Sequence, residues 1–316
     1  MGGGGTDLPS YYRKRTGYLI SGAINKYVYT SIIKSFDKGI FLKYSDYEKV
    51  DNLSKIKHKL FKEILIMENL SKPYQIELTT LADIPAGTGL GSSGAFLVSA
   101  IKAVKTFQNE HKSNTEIAEL ACKVEIERLN LPVGKQDQYI SAVGGLCEFT
   151  FNKDDSVEFK RLPISNINLN LIKDSMLLFY TGHKRSSSKI LSTQNKKTID
   201  EDSSIIASLD SIKEMAINSR NLLINGDLNQ YGLLLQDHWK EKLKRSPDMC
   251  PKKIQNYISL GLNNGALGAK LIGAGGGGFI MFICNDKHQL RKKLTKEGLQ
   301  ELSFDFDSLG VQIIDT

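Results

Sequence analysis

Pro85-Ala86-Gly87-Thr88-Gly89-Leu90-Gly91-Ser92-Ser93-Gly94-Ala95-Phe96 is the stretch that orders the rest of the chain. Four glycines remove the side chains that would hold a ligand off the backbone, and two serines add hydroxyls. Before it, residues 74–81 alternate as a strand does, with Ile76, Leu78 and Thr80 opposed to Gln75, Glu77 and Thr79. After it, Phe96, Leu97, Ile101, Val104 and Phe107 share one helical face. A glycine loop thus leads from a strand into a helix N-terminus. Free N–H groups and the positive end of the helix dipole meet there, which makes an anion site suited to phosphate.

Three other readings of the loop fare worse. A plain turn needs one or two glycines rather than four beside paired serines. The GxxxxGK[ST] phosphate loop fails because no lysine follows the glycines. The dinucleotide pattern GxGxxG fits loosely, with Ser92 in the place of its third glycine. It also requires a strand closed by an acidic residue about 20 residues on, where this chain continues as helix and then Lys112-Ser113-Asn114.

Composition narrows the class. The 316 residues suffice for one large or two ordinary domains, and 41% hydrophobic with 24% charged residues is a globular balance. The formal charge is +7, but the dense basic runs 240–245 and 291–293 sit in helix-like segments without interleaved aromatics. They read as solvated faces rather than a nucleic-acid platform, while a positive cleft suits phosphorylated ligands. Cys122, Cys147, Cys250 and Cys284 form no CxxC pair, and the five histidines have no metal-ligand spacing. Unpaired apolar thiols suit a reducing, cytoplasmic setting, with no signal-peptide or membrane-helix pattern.

Along the chain, residues 18–36 and 40–44 read as strands joined by a turn at Asp37-Lys38-Gly39, and 50–70 as an amphipathic helix. Residues 115–129 read as a helix capped by Asn114 or Thr115, and 144–151 with 157–162 as a hairpin. Residues 169–181 read as an apolar strand, followed by polar helices over 203–224, 228–243 and 251–263. A strand at 278–283, a basic helix at 287–298 and a strand at 311–314 complete the pattern. Strands and helices mix without regular alternation, which predicts an α+β fold with mainly antiparallel sheets.

Pro85 to Ser93 matches P-x-x-x-G-L-G-S-S, the second motif of the GHMP small-molecule kinases, at every fixed position. Gly3-Gly4-Gly5-Thr6-Asp7-Leu8-Pro9 resembles their first motif in its sugar-kinase form, and residues 270–279 (KLIGAGGGGF) resemble the third. The resemblance spans nearly the whole chain. It implies the two-domain GHMP kinase fold, a ribosomal-protein-like N-terminal domain over 1–175 and a ferredoxin-like C-terminal domain over 176–316. It implies ATP and Mg²⁺ as cofactors and a small-molecule acceptor. The GGGTDLP start, the run Gly134-Lys135-Gln136-Asp137-Gln138 and the third motif look most like the kinases of D-glycero-D-manno-heptose 7-phosphate. A galactose- or fucose-type kinase and a silent sugar- or nucleotide-binding homologue are the alternatives, and a homodimer is left open.

The resemblance also distributes roles. Pro85, Ala86, Gly87, Thr88, Gly89, Leu90, Gly91, Ser92, Ser93 and Gly94 cradle the nucleotide. Ser93 and Glu125 hold the metal, with Glu127 as fallback for the glutamate. Asp137, 12 residues after Glu125, takes the acceptor proton, and Lys135 supports it or the transferring phosphoryl group. Thr6 and Asp7 face the sugar. Lys184 and Arg185, with Lys26 and Arg13 behind them, receive the substrate's own phosphate, and Gly275, Gly276 and Gly277 border the donor site or the acceptor pocket. One departure stands out. The family's first motif begins with a Pro-x-Arg strand, whereas here Met1 directly precedes Gly2, so either Met1 is an internal methionine or a strand and its arginine are missing.

Overall fold

The computed structural model describes residues 1–70, 73–182, 187–245 and 250–314. Strands β1 (Gly17–Gly22), β6 (Leu146–Phe151) and β7 (Val157–Arg161) form an antiparallel sheet ordered β1-β6-β7. Strands β2 (Val28–Lys34), β3 (Gly39–Lys43), β4 (Tyr47–Val50) and β5 (Gln75–Ala82) form a second, ordered β2-β5-β3-β4, with β3 and β5 parallel. Strands β8 (Met176–Tyr180), β9 (Ala266–Leu271), β10 (Phe279–Cys284) and β11 (Gln300–Leu302) form a third, ordered β11-β8-β10-β9 and antiparallel.

The helices are α1 (Pro9–Arg15), α2 (Lys59–Met67), α3 (Ser92–Phe107), α4 (Asn114–Cys122) and α5 (Gln136–Val143) in the first half. Then follow α6 (Asn166–Ser175), α7 (Ser187–Ile199), α8 (Ser203–Asn225), α9 (Leu228–Leu243), α10 (Lys252–Leu262) and α11 (Lys287–Lys296). The first core packs Leu97, Ile101 and Val104 of α3 against Ile40, Leu42 and Leu78 of the second sheet. Another apolar cluster joins Ile20 and Leu146 to Leu178, Met281 and Ile283, so the first and third sheets share buried surface. No helix among the described residues is long and apolar enough to cross a membrane.

The mixed, mainly antiparallel α+β architecture is as expected, but several elements differ. Residues 18–36 are two strands in different sheets. The break is braced by the distant tail, where Asn25 N–H donates to the Asp305 carbonyl (2.9 Å) and Asp307 N–H to that of Ala23 (3.0 Å). The expected helix over 50–70 is delayed to Lys59, because Glu48 accepts the N–H groups of Lys57 and His58 at 2.7 and 3.0 Å. The expected strand over 169–181 opens as helix α6, whose N-cap Ser165 accepts from Asn168 N–H at 3.2 Å. Residues 311–314 form no strand; β11 at Gln300–Leu302 takes the sheet edge. Gly2 makes an antiparallel bridge with Ile20 of β1.

Candidate active site

The glycine loop runs from β5 to α3. Gly91 caps α3 in the left-handed conformation, and no side chain caps the helix. Ala95 is the first residue whose N–H finds the i−4 carbonyl, that of Gly91 at 3.0 Å. The N–H groups of Ser92, Ser93 and Gly94 are therefore the open end of the helix, where partial positive charge gathers. Thr88 is buried and donates to the Pro85 carbonyl at 3.1 Å, which closes the loop on itself. The turn between β9 and β10 lies on this loop: a Cβ on Gly278 would sit 2.0 Å from the Thr88 carbonyl oxygen, at a φ of +100°. Gly275, Gly276 and Gly277 are the buried floor of that turn, whose contacts through Gly273 and Gly278 are with the glycine loop. A Gly278→Ala variant is expected to lose about 2 kcal/mol or more of stability and to bind nucleotide more weakly. Thermal midpoints and nucleotide titration check both, and unchanged nucleotide affinity would detach the turn from the loop.

Helix α5 meets α3 at the same place. A Cβ on Gly94 would lie 2.9 Å from the Asp137 Cβ, so only glycine lets the two backbones approach this closely. Asp137, in the first turn of α5, is thereby set beside the open end of α3. Ser93 Oγ donates to Glu125 Oε1 at 2.6 Å, and Gln138 Nε2 donates to Glu125 Oε2. Glu125 is 3% exposed. It lies in a π-helical turn, Lys123–Arg128, that interrupts the continuous helix expected over 115–129; such turns often re-aim a side chain at a functional site. The helix begins one residue earlier than expected, with Ser113 and Glu116 forming a capping box.

Asp7 completes a group of three carboxylates. Its Oδ1 accepts Gly5 N–H at 3.0 Å and its Oδ2 accepts Gln136 N–H at 3.2 Å, which ties the first glycine turn to the start of α5. Burial raises the Asp7 pKa, while those two N–H groups and the Arg245 charge work against the rise. Burial likewise raises that of Glu125, countered by its Ser93 and Gln138 bonds. Asp137 is pushed up to about 7 by the surrounding protein mass, then by the negative charges of Asp7 and Glu125. Its side chain is nevertheless open to solvent. Water screens part of the repulsion and keeps the upward shift smaller than burial alone would make it.

Asp137, Glu125, Ser93, Asp7 and the loop Pro85–Gly94 thus converge, and several other expected residues do not. Lys135 does not serve Asp137: its ammonium donates to the Asp155 carbonyl at 2.6 Å and lies 5.1 Å from the Tyr12 ring centroid. The residue is the N-cap of α5, and its side chain turns to the β6–β7 hairpin for these partners. Thr6 is fully buried and bonded to the Gly3 and Tyr18 carbonyls at 2.8 and 2.9 Å, so it holds the first glycine turn rather than facing a sugar. Lys26 borders a hollow with Leu90, Ser92 and Ala95, on the donor-loop side. Arg13 pairs with Asp155 at 3.0 Å. Lys184 and Arg185 lie outside the described residues. The sequence reading missed Gln138 as the partner of Glu125; its adjacency to Asp137 was the available signal.

The chain matches the GHMP kinase N-terminal domain over residues 54–145 and the GHMP kinase C-terminal domain over residues 219–298. It belongs to the GHMP kinase family, whose members use ATP. It is 31% identical to the D-glycero-alpha-D-manno-heptose 7-phosphate kinase of Campylobacter jejuni, over 99% of this chain and 95% of that protein. That full-length likeness supports a sugar kinase within the family. The fold is similar to a D-glycero-D-manno-heptose 1-phosphate kinase from Bacteroides thetaiotaomicron (TM-score 0.80, 24% identity, 99% of this chain and 96% of that one). It is also similar to a putative sugar kinase from Campylobacter jejuni (TM-score 0.76, 27% identity, 99% of this chain and 94% of that one).

Proposed function

We propose that the protein transfers the γ-phosphoryl group of ATP to the anomeric hydroxyl of D-glycero-D-manno-heptose 7-phosphate. The product is the 1,7-bisphosphate used in making nucleotide-activated heptose. The observation that carries the reading is the seating of Asp137 against the uncapped end of α3, through the close approach at Gly94. A carboxylate there stands beside the phosphate cradle and can orient a hydroxyl. As the hydroxyl oxygen bonds to the γ-phosphorus, the bond to ADP breaks, ADP leaves with its electron pair, and Asp137 takes the hydroxyl proton. A pKa raised above the ordinary carboxylate range suits that task, because it strengthens the base while leaving the ionised form available. The N–H groups of Ser92, Ser93 and Gly94 receive the donor phosphates.

The donor set fits Mg²⁺. Ser93 and Glu125 offer hard oxygen ligands, and Glu125 is a buried carboxylate. Among the described residues no group of three or more acidic, histidine or cysteine side chains could hold a metal. The two oxygens would share the ion with phosphates and water, as Mg²⁺ sites commonly do. When bound, the ion neutralises charge developing on the transferring group. Gln138 fixes the Glu125 carboxylate, leaving its other oxygen to Ser93. The same reading divides the chain at 175/176 into a donor-loop lobe and a C-terminal lobe.

A coupled ADP-release assay over heptose 7-phosphate, unphosphorylated heptose, galactose, fucose and mevalonate tests it. Heptose 7-phosphate is expected to give the highest kcat/KM, by about 100-fold or more, as a binding site built for a charged group discriminates against ligands lacking it. A higher value for any other acceptor would reassign the substrate.

A further inference from the structure

Behind the first glycine turn the described residues bury several basic side chains with few acids. Arg245 is 1% exposed, His238 3%, Lys242 7% and Lys270 8%. Lys242 donates to the Leu271 and Gly273 carbonyls at 3.2 and 2.5 Å. His238 Nε2 accepts Gly3 N–H at 3.2 Å. Arg245 Nη1 donates to the Gly4 carbonyl at 3.1 Å, yet its Nε and Nη2 have no partner among the described residues. Gln194, 2% exposed, also has an unpartnered Nε2. No ion pair involves Arg245, Lys242 or Lys270 among the described residues. The nearest acids acting on Arg245, Asp7 and Glu241, make no bond to it. Burial, with Arg245 beside it, pulls the Lys270 ammonium down to about 7, which reflects how poorly this region is neutralised.

A buried guanidinium with two unpaired donors is costly unless an anion completes it. Its planar fork presents paired donors that match an oxyanion. The location is informative. A Cβ on Gly5 would lie 2.4 Å from Arg245 Nη1 and 3.0 Å from Gln194 Nε2, so both groups back the same short stretch of backbone. Gly5 N–H holds Asp7, and Asp7 acts on Asp137. At Gly4 an added Cβ would meet only Gln136 Oε1, at 3.9 Å, which leaves room on that side of the turn.

We propose that Arg245 and Gln194 form a subsite for the phosphate that the acceptor sugar already carries. The free donors are shielded from solvent, so entry of the anion shifts the Gly4–Gly5 backbone that covers them. The subsite rests on the kinase reading only for the identity of its ligand.

Two arms test it with the full chain. In the first, inorganic phosphate is titrated at saturating ADP, which occupies the donor loop, and the thermal midpoint is followed. The midpoint is expected to rise for the wild type and to stay flat for Arg245→Gln; an equal rise in both overturns the subsite. In the second, Arg245→Gln is expected to raise KM for heptose 7-phosphate about 10- to 100-fold, as for loss of a charged hydrogen bond. KM for ATP and for unphosphorylated heptose should stay within about twofold. An unchanged KM for the phosphosugar, or an equal rise for all three, overturns the proposal. Gln194→Leu, which keeps the charge, should give about a 10-fold rise and decides the matter if Arg245→Gln fails to fold. If the wild type phosphorylates no sugar, the kinase reading fails and the phosphate arm alone decides the subsite.

Discussion

An Asp137→Asn variant is expected to lower kcat by about 10²- to 10⁴-fold, the range that a positioned general base supplies, while its affinity for ADP stays near wild type. The isosteric amide keeps the packing at Gly94 but cannot take the proton. In the wild type, kcat/KM should rise with pH through a limb displaced above the ordinary carboxylate range, because the active form is the ionised carboxylate, pushed up by the surrounding protein mass and by Asp7 and Glu125. Stability should move the opposite way. The folded-state pKa lies above the ordinary 3.8, so the folded chain holds the proton more tightly than the unfolded one. That stabilisation is complete at low pH and is lost as pH rises from about 4 through the raised folded-state value. Asp137→Asn removes the loss and should melt no lower than wild type at pH 8. Wild-type turnover in the variant would remove Asp137 from the chemistry; a collapse in melting temperature would make it a structural residue.

Glu125→Gln is expected to cut kcat/KM by about 100-fold or more, equivalent to ~3 kcal/mol of transition-state stabilisation, and to weaken the Mg²⁺ dependence of ADP binding. The amide oxygen can still accept from Ser93, which donates to Glu125 at 2.6 Å, and Gln138, whose Oε1 has no partner among the described residues, can turn its amide to accept the new N–H. The buried charge, whose pKa is raised chiefly by burial, disappears, so the fold should not weaken. Calorimetric titration of ADP with and without Mg²⁺ separates the two effects. An unaltered Mg²⁺ effect on ADP affinity would move the metal away from Glu125.

The donor loop was legible because its chemistry is local: glycines, serines and flanking periodicity lie within Tyr74–Phe107. Asp137 and Glu125 stand out in the sequence as candidates, but their geometry does not. The π-turn that re-aims Glu125 and the close packing of Gly94 on Asp137 are tertiary outcomes. Lys135 sits two residues from Asp137 in sequence, yet its side chain is claimed by Asp155 from the β6–β7 hairpin. The break within residues 18–36 is braced by Asp305 and Asp307, far along the chain, and both flanking stretches have the same strand-like pattern. The cluster at Arg245 joins α7, the end of α9, β9 and the first glycine turn, so no window of sequence contains it. Helices α8, α9 and α10 were readable because length and periodicity suffice there.

The most direct test of the account is phosphorus NMR of the protein incubated with ATP, Mg²⁺ and D-glycero-D-manno-heptose 7-phosphate. The account predicts a new anomeric phosphate signal that grows in step with ADP, is lost in Asp137→Asn, and leaves the 7-phosphate signal in place. ADP formation without a new sugar phosphate, or phosphorylation at a non-anomeric position, would contradict it.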